Sequence, residues 1–248
     1  KKFSAYQIFR WLIILLAVAL VVLPILFLFF TSVKPQSELY NNPKILPTQF
    51  LWDNYKSIFT FESLNSGILF YLKNTIIVAL VSTLITVAFG SMCAYGLSRL
   101  RKGKLIAIIT AVIVVVRFYP KITVILPYFL LMKNLHLLDT LSAIIISHIS
   151  IGIPLTVMMM TTFYNEVPKE MEEASRVDGA SVLTTYFRVV VPTTLSGMAA
   201  TAILMVMTSW NEFLLASGLA SNHAKTFPIV IAGFVTDKGT DWGGMAAL

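Results

Sequence analysis

The chain has 248 residues, 57% of them hydrophobic and 12% charged, with a mean hydropathy of +0.80, a balance that leaves too little polar surface to coat a soluble globule and points to a lipid solvent. Its net charge of +7 comes from basic residues at the edges of apolar blocks, as the positive-inside rule requires, and this argues against a nucleic-acid surface. Apolar blocks recur over the whole length with no soluble stretch between them, so residues 1–248 read as one transmembrane domain.

A helix crossing the hydrocarbon core needs about 20 mostly apolar residues. Five stretches qualify, from Trp11 to Phe30, Thr75 to Leu97, Leu105 to Tyr119, Leu141 to Phe163 and Thr194 to Ser217, the third being short. The fold class expected is therefore an all-α integral membrane protein, a multi-span helical bundle. The first run lacks a small-residue cleavage pattern, which speaks against a removable signal peptide. The chain opens on Lys1, so a few residues are expected to precede it. Lys1, Lys2 and Arg10 precede the first span, and Arg99, Arg101, Lys102 and Lys104 crowd the turn after the second, which places both ends in the cytoplasm.

That orientation puts residues 31–74 outside, residues 120–140 outside and residues 164–193 in the cytoplasm. The stretch from Lys34 to Phe61 carries Pro35, Pro43, Pro47, Trp52 and Tyr55. This suits either a folded extracytoplasmic cap that receives a partner or a collar that anchors the helices at the interface. Single Cys93 lies inside an apolar run and is expected to be a small buried hydrophobe. Residues from Trp242 to Leu248 look like the start of a sixth span.

The connection between the fourth and fifth spans is far longer than the 2 to 8 residues usual between neighbouring helices, so it should carry structure of its own. Pro168 suits a first helical turn, and Glu170, Glu172 and Glu173 complement the helix dipole. Lys169, Glu172, Glu173 and Arg176 fall three and four apart, as one charged face, with Met171, Ala174 and Ser175 on the other. Gly179 supplies the freedom to leave that helix, Ser181 can cap a second running through Arg188, and Pro192 marks entry to the next span. A short amphipathic helix could also simply lie among lipid headgroups.

The spacing is more specific than the amphipathicity. Glu173-Ala174-Ser175, Gly179 four positions on, nine residues, and then Val189-Val190-Val191-Pro192 resembles the EAA loop of ABC importer permeases. In that family the pattern is Glu-Ala-Ala, three residues, Gly, nine residues, Ile, any residue, Leu-Pro. Ser175, Val189 and Val191 depart from it only to residues of similar size. Lys34, Pro35, Asn54, Tyr55, Asn74 and Trp210-Asn211-Glu212-Phe213 are similar to the carbohydrate branch that includes the maltose permeases, whose fold is the type I importer bundle.

The resemblance implies a bacterial cell-membrane protein carrying a sugar or oligosaccharide by alternating access. It also implies a second homologous permease subunit, a dimer of ATPase subunits that bind ATP and Mg, and an extracytoplasmic solute-binding protein. The chain itself would be no enzyme and hold no cofactor or metal. In the family the loop is a coupling helix seated in an ATPase cleft. Carried over, Met171, Glu172, Glu173, Ala174, Ser175, Val177, Asp178, Gly179 and Ala180 would dock there, with Glu173 meeting a basic group and Ala174 and Gly179 allowing close approach. A non-sugar solute such as an amino acid, or a secondary transporter, remains the alternative; the latter would need more embedded acids than the spans contain.

Ionisable groups at membrane depth raise functional hypotheses. His148, with Ser147 and Ser150 beside it and Gly152 and Pro154 able to break the helix, could line the path; the alternative is a neutral histidine hydrogen-bonded to a neighbouring helix. Trp210, Asn211 and Glu212 could offer a stacking face and hydrogen bonds to a sugar, or an anchor plus a structural ion pair. Arg117 and Lys121 are expected as snorkelling anchors. Met158, Met159 and Met160 lack His or Cys at ligand spacing and are expected to pack or face lipid.

Overall fold

Helix dominates the computed structural model, which describes residues 5–40, 44–60, 67–100, 103–237 and 239–248. Lys1, Lys2, Pro43, Phe61, Arg101 and Lys102 from the sequence reading lie outside them. The first helix, α1, covers Ala5–Ser32, with α2 (Gln36–Tyr40) and α3 (Asp53–Thr60) after it. Then come α4 (Gly67–Arg99), α5 (Lys104–Phe118), α6 (Lys121–Asn134), α7 (Leu141–Glu166), α8 (Lys169–Val177) and α9 (Val182–Thr185). A π-helical stretch, Tyr186–Val190, leads into α10 (Val191–Thr193), α11 (Leu195–Trp210), α12 (Leu214–Leu219) and α13 (Phe227–Ala232). The hairpin of β1 (Val235–Thr236) and β2 (Gly239–Thr240) precedes α14 (Trp242–Ala247).

Among the described residues three helices are long and apolar enough to cross a membrane, Tyr6–Ser32, Gly67–Arg99 and Leu141–Glu166, or five if each bent pair counts as one span. The five stretches read from the sequence thus correspond to helices, and two of them, the third and the fifth, join a further helix at a sharp bend. With 15 residues, α5 is about 22 Å long, short of a hydrocarbon core about 30 Å thick. The chain then bends by 94° into α6, because Pro120 holds Tyr119 in an extended conformation (φ −65°, ψ 134°) and no helix can run through. Much of the segment expected as an outer connection, 120–140, is therefore helix. A second bend, of 79°, lies between Val182–Thr193 and Leu195–Trp210, at the start of the fifth stretch, whose helix ends at Trp210 and leaves Ser217 to the separate α12.

The chain forms two compact units, Lys1–Phe70 with Val230–Leu248, and Tyr71–Ile229. In the first, α1 packs on α14 and α14 on α3. Lys34 is buried there, its ammonium donating to the carbonyls of Lys44 and Ile45, hydrogen bonds that offset part of the cost of burying the charge. Asn54 donates to the Ser32 carbonyl at 2.8 Å, and Tyr55 shares a 2.8 Å hydrogen bond with the Ser32 hydroxyl. Within this unit most of the apolar surface of α1 is left uncovered.

In the second unit α7 is the central rod, packed on α5, α11 and α12, and α12 also packs on α6. One core gathers Val78, Met132, Ile144, Ala216 and Leu219, the other Tyr95, Val157, Met160, Tyr164, Tyr186 and Val190. Gly152 and Pro154 do not break α7, which runs unbroken from Leu141 to Glu166. Gly152 serves close packing instead: a Cβ there would lie 2.5 Å from the Met205 Sδ on α11. Cys93 corrects a second expectation, since it is exposed on α4. Met160 is fully buried while Met158 is partly exposed, and among the described residues no group of metal-ligating side chains forms.

Candidate functional site

The helical hairpin of α8 and α9 is built by local rules. Acidic Glu170 and Glu172 fall in the first turn of α8, beside the partial positive charge of its N-terminus. At the other end Gly179 takes φ +85°, its N–H bonds to the Arg176 carbonyl and that of Ala180 to the Ser175 carbonyl, both at 3.0 Å. That pairing is a Schellman cap, which favours glycine in the left-handed position. Ser181 then caps α9, its hydroxyl accepting from the Thr184 N–H at 3.2 Å. Helix, sharp turn and helix follow as the sequence predicts, with the π-helical stretch of Tyr186–Val190 carrying the chain past Arg188 toward Pro192.

The expected charged face is split, which corrects the reading of Glu172. Its side chain is turned inward, leaving the residue 2% exposed, whereas Val177 is 87% exposed and Met171 is exposed as well. Glu173, Ala174, Asp178 and Gly179 are exposed, and Ser175 and Ala180 are half-buried. The Glu172 carboxylate accepts from the Tyr95 hydroxyl at 2.8 Å and from Arg99 Nε at 2.7 Å, with Arg99 Nη2 at 2.6 Å. Its neighbours come from α4, more than 70 positions earlier, and no local spacing announces them.

A second polar group lies deep between α4, α7 and α11. His148 is fully buried. Its Nδ1 lies 2.7 Å from the Ser209 hydroxyl, which meets that of Ser82 at 3.1 Å, and its Nε2 lies 3.5 Å from Glu212 Oε2. Glu212 also accepts from the Leu215 and Ala216 N–H groups and lies 3.7 Å from the Lys121 ammonium. The geometry matches the alternative reading of His148, a histidine bonded to a neighbouring helix. Ser147 is buried but bonds the Ile144 carbonyl of its own helix at 2.8 Å.

The grouping expected of Trp210, Asn211 and Glu212 separates. Asn211 is exposed and donates to the Met207 carbonyl at 2.8 Å, whereas Glu212 turns inward at the break after α11. Lys121 is an inward partner of Glu212 and not only a snorkelling anchor. Beside it, at the α5–α6 bend, a cleft of about 440 Å3 is lined by Arg117, Tyr119, Lys121, Tyr128 and Ser150 among aliphatic side chains.

Comparison with known proteins adds a family and a fold. The model of a family described as "Binding-protein-dependent transport system inner membrane component" matches residues 86–248. The trehalose transport system permease protein SugB of Mycobacterium tuberculosis is 33% identical over 88% of this chain and 78% of its own length. The sulfoquinovosyl glycerol transport system permease protein SmoH of Agrobacterium fabrum is 31% identical over 90% of this chain and 78% of its own. A solved bacterial ABC transporter involved in import of the acidic polysaccharide alginate matches 100% of this chain and 92% of its own with a TM-score of 0.76 at 18% identity, a likeness of fold.

Proposed function

Since the chain belongs to the inner-membrane components of binding-protein-dependent transport systems, we propose that it translocates a sugar or oligosaccharide, by alternating access driven from a separate ATPase. Family membership makes it a multi-pass membrane subunit whose partners are an ATPase and a solute-binding protein. Relatives named for trehalose and sulfoquinovosyl glycerol transport support a carbohydrate cargo. A second homologous permease completes the pathway, ATP and Mg bind only in the ATPase dimer, and the N-terminus faces the cytoplasm of a bacterial cell.

The observation that carries the reading is the outward surface of α8 and its turn. An 87% exposed Val177 and an exposed Met171, flanked by Glu173, Ala174, Asp178 and Gly179, make a small apolar knob on an otherwise charged helix, the composition of a protein contact more than of a solvated face. Glu173 supplies a charge to fix orientation, and Ala174 and Gly179 leave room for a close approach. In the spans, the buried pair of His148 and Glu212 borders the solute path and is exposed to it when the helices part.

Co-purification with the ATPase tests the docking. Val177→Asp combined with Glu173→Lys should abolish recovery of the ATPase while leaving the chain folded and inserted, and undiminished recovery would overturn it. Reconstituted with its binding protein, the importer should hydrolyse ATP faster in the presence of a sugar. Stimulation by amino acids and by no sugar would overturn the cargo.

A further inference from the structure

Adjacent glutamates of α8 face opposite ways, Glu173 to the outside and Glu172 to α4. Among the residues of α8, Glu172 is the buried one, and its carboxylate forms the ion pair that joins this helix to α4. Its carboxylate is met by the Tyr95 hydroxyl at 2.8 Å and by the Arg99 guanidinium at 2.6 and 2.7 Å, with the guanidinium lying 5.7 Å from the Tyr95 ring centroid. Arg99 Nε donates to Glu172 Oε1, Nη2 lies beside the same oxygen, and the Tyr95 hydroxyl takes Oε2, so both carboxylate oxygens are held by α4 through charge-assisted contacts. Separating the pair would strand the buried Glu172 carboxylate and leave a half-buried guanidinium without it, which makes the contact stiff.

The return arm of the loop grips the same part of α4. The Tyr186 hydroxyl is 2.8 Å from that of Ser91, and the Tyr186 ring lies 5.0 Å from the Tyr95 ring. Ser91 and Arg99 are about 12 Å apart along α4 at 1.5 Å per residue. The two arms are tied together by Ser175 and Thr185, whose hydroxyls are 3.1 Å apart. A force on α8 therefore has a short, polar and buried route into the last turns of α4, with a neighbouring hold to keep it from pivoting.

We propose that Glu172, with Arg99 and Tyr95, is the joint that passes movement of α8 to α4, making Glu172 a positioning residue for coupling and not a contact with the motor. The inference rests on the proposed docking of an ATPase to the outward side of α8. Without the joint, the docked helix would move on its Pro168 and Gly179 flanks and the spans would not follow.

The test uses the complete importer, with ATPase and binding protein, in liposomes, and reads sugar uptake per ATP hydrolysed. Glu172→Gln keeps the shape of the side chain but removes its charge, and uptake per ATP should fall about tenfold while the ATPase stays bound and hydrolysis continues. In a Cys93→Ala background, the pair Glu172→Cys with Arg99→Cys should show the same loss. Bridging the two thiols with a short bifunctional reagent should restore most of it, because a covalent link replaces the ionic one.

An assembled Glu172→Gln importer with undiminished uptake per ATP would overturn the proposal. So would a bridge that blocks uptake, since the loop would then have to slide on α4. The bridged pair decides the matter even if the Gln variant fails to assemble. Failure of the docking reading looks different: the ATPase would be missing from complexes of the unaltered chain.

Discussion

Asp139 has φ +57°, a conformation that few residues other than glycine, asparagine and aspartate adopt readily. Its carboxylate accepts from the N–H groups of Ser221, Asn222, His223 and Ala224 at 2.9 to 3.1 Å. Asn74 holds the same loop by donating to the carbonyls of His223 and Lys225. Partial burial would raise the Asp139 pKa, but the four N–H donors prevail and hold it at about 2, below the ordinary 3.8. Depression of the folded value means that this stabilisation is complete above about pH 4 and is lost as pH falls through about 2. Asp139→Asn should remove about 1–2 kcal/mol of local stability, read as faster hydrogen exchange of the 221–224 amides. The ratio of exchange between variant and unaltered chain should be large at pH 6 and shrink toward one as pH approaches 2. A constant ratio would mean that the carboxylate charge does not hold the loop.

Along whole helices, close approach is what α7 and α11 have built for. The missing side chain of Gly152 makes room for Met205, and Thr201 on α11 meets the Met160 sulfur at 3.5 Å. Gly152→Val should therefore overpack the contact, costing about 1–3 kcal/mol, with a lower thermal midpoint in detergent. Adding Met205→Ala should recover part of it, whereas a further fall would show that the crowding lies elsewhere. The hairpin of α8 and α9 was fully legible because its signals are local: Gly179 two residues after the last helical position, and Ser181 just before the next helix. The inward turn of Glu172 was not legible, because Tyr95 and Arg99 reach it from another helix and helical periodicity alone puts it with Glu173. Pro120 carried the signal for the α5–α6 bend, yet its neighbours are apolar enough to read as one span ending in a loop. Four residues matched to the carbohydrate permeases outside the loop, Lys34, Asn54, Asn74 and Glu212, prove to hold backbone in place, a role visible only once the loops they grip are folded.

At the scale of the whole molecule, the path of the chain through the bilayer follows from charge and length together. Within α1 the apolar stretch carries no charge after Arg10, and at about 1.5 Å per residue its 28 residues span more than a hydrocarbon core about 30 Å thick. Basic Arg99 and Lys104 flank the turn between α4 and α5, while Lys169, Arg176 and Arg188 mark the loop beyond α7. On the positive-inside rule we propose that Gln7, the α4–α5 turn and α8 face the cytoplasm, and Thr48 and Asp237 the other side. With Cys93→Ala removing the native thiol, single cysteines at these places report their side through a membrane-impermeant maleimide added to intact cells. Thr48→Cys and Asp237→Cys should label from outside, whereas Gln7→Cys and Glu173→Cys should label only after the membrane is opened. Labelling of Glu173→Cys from outside would leave α8 unable to reach any cytoplasmic ATPase, and with it both the docking surface and the Glu172 joint would lose their driving partner.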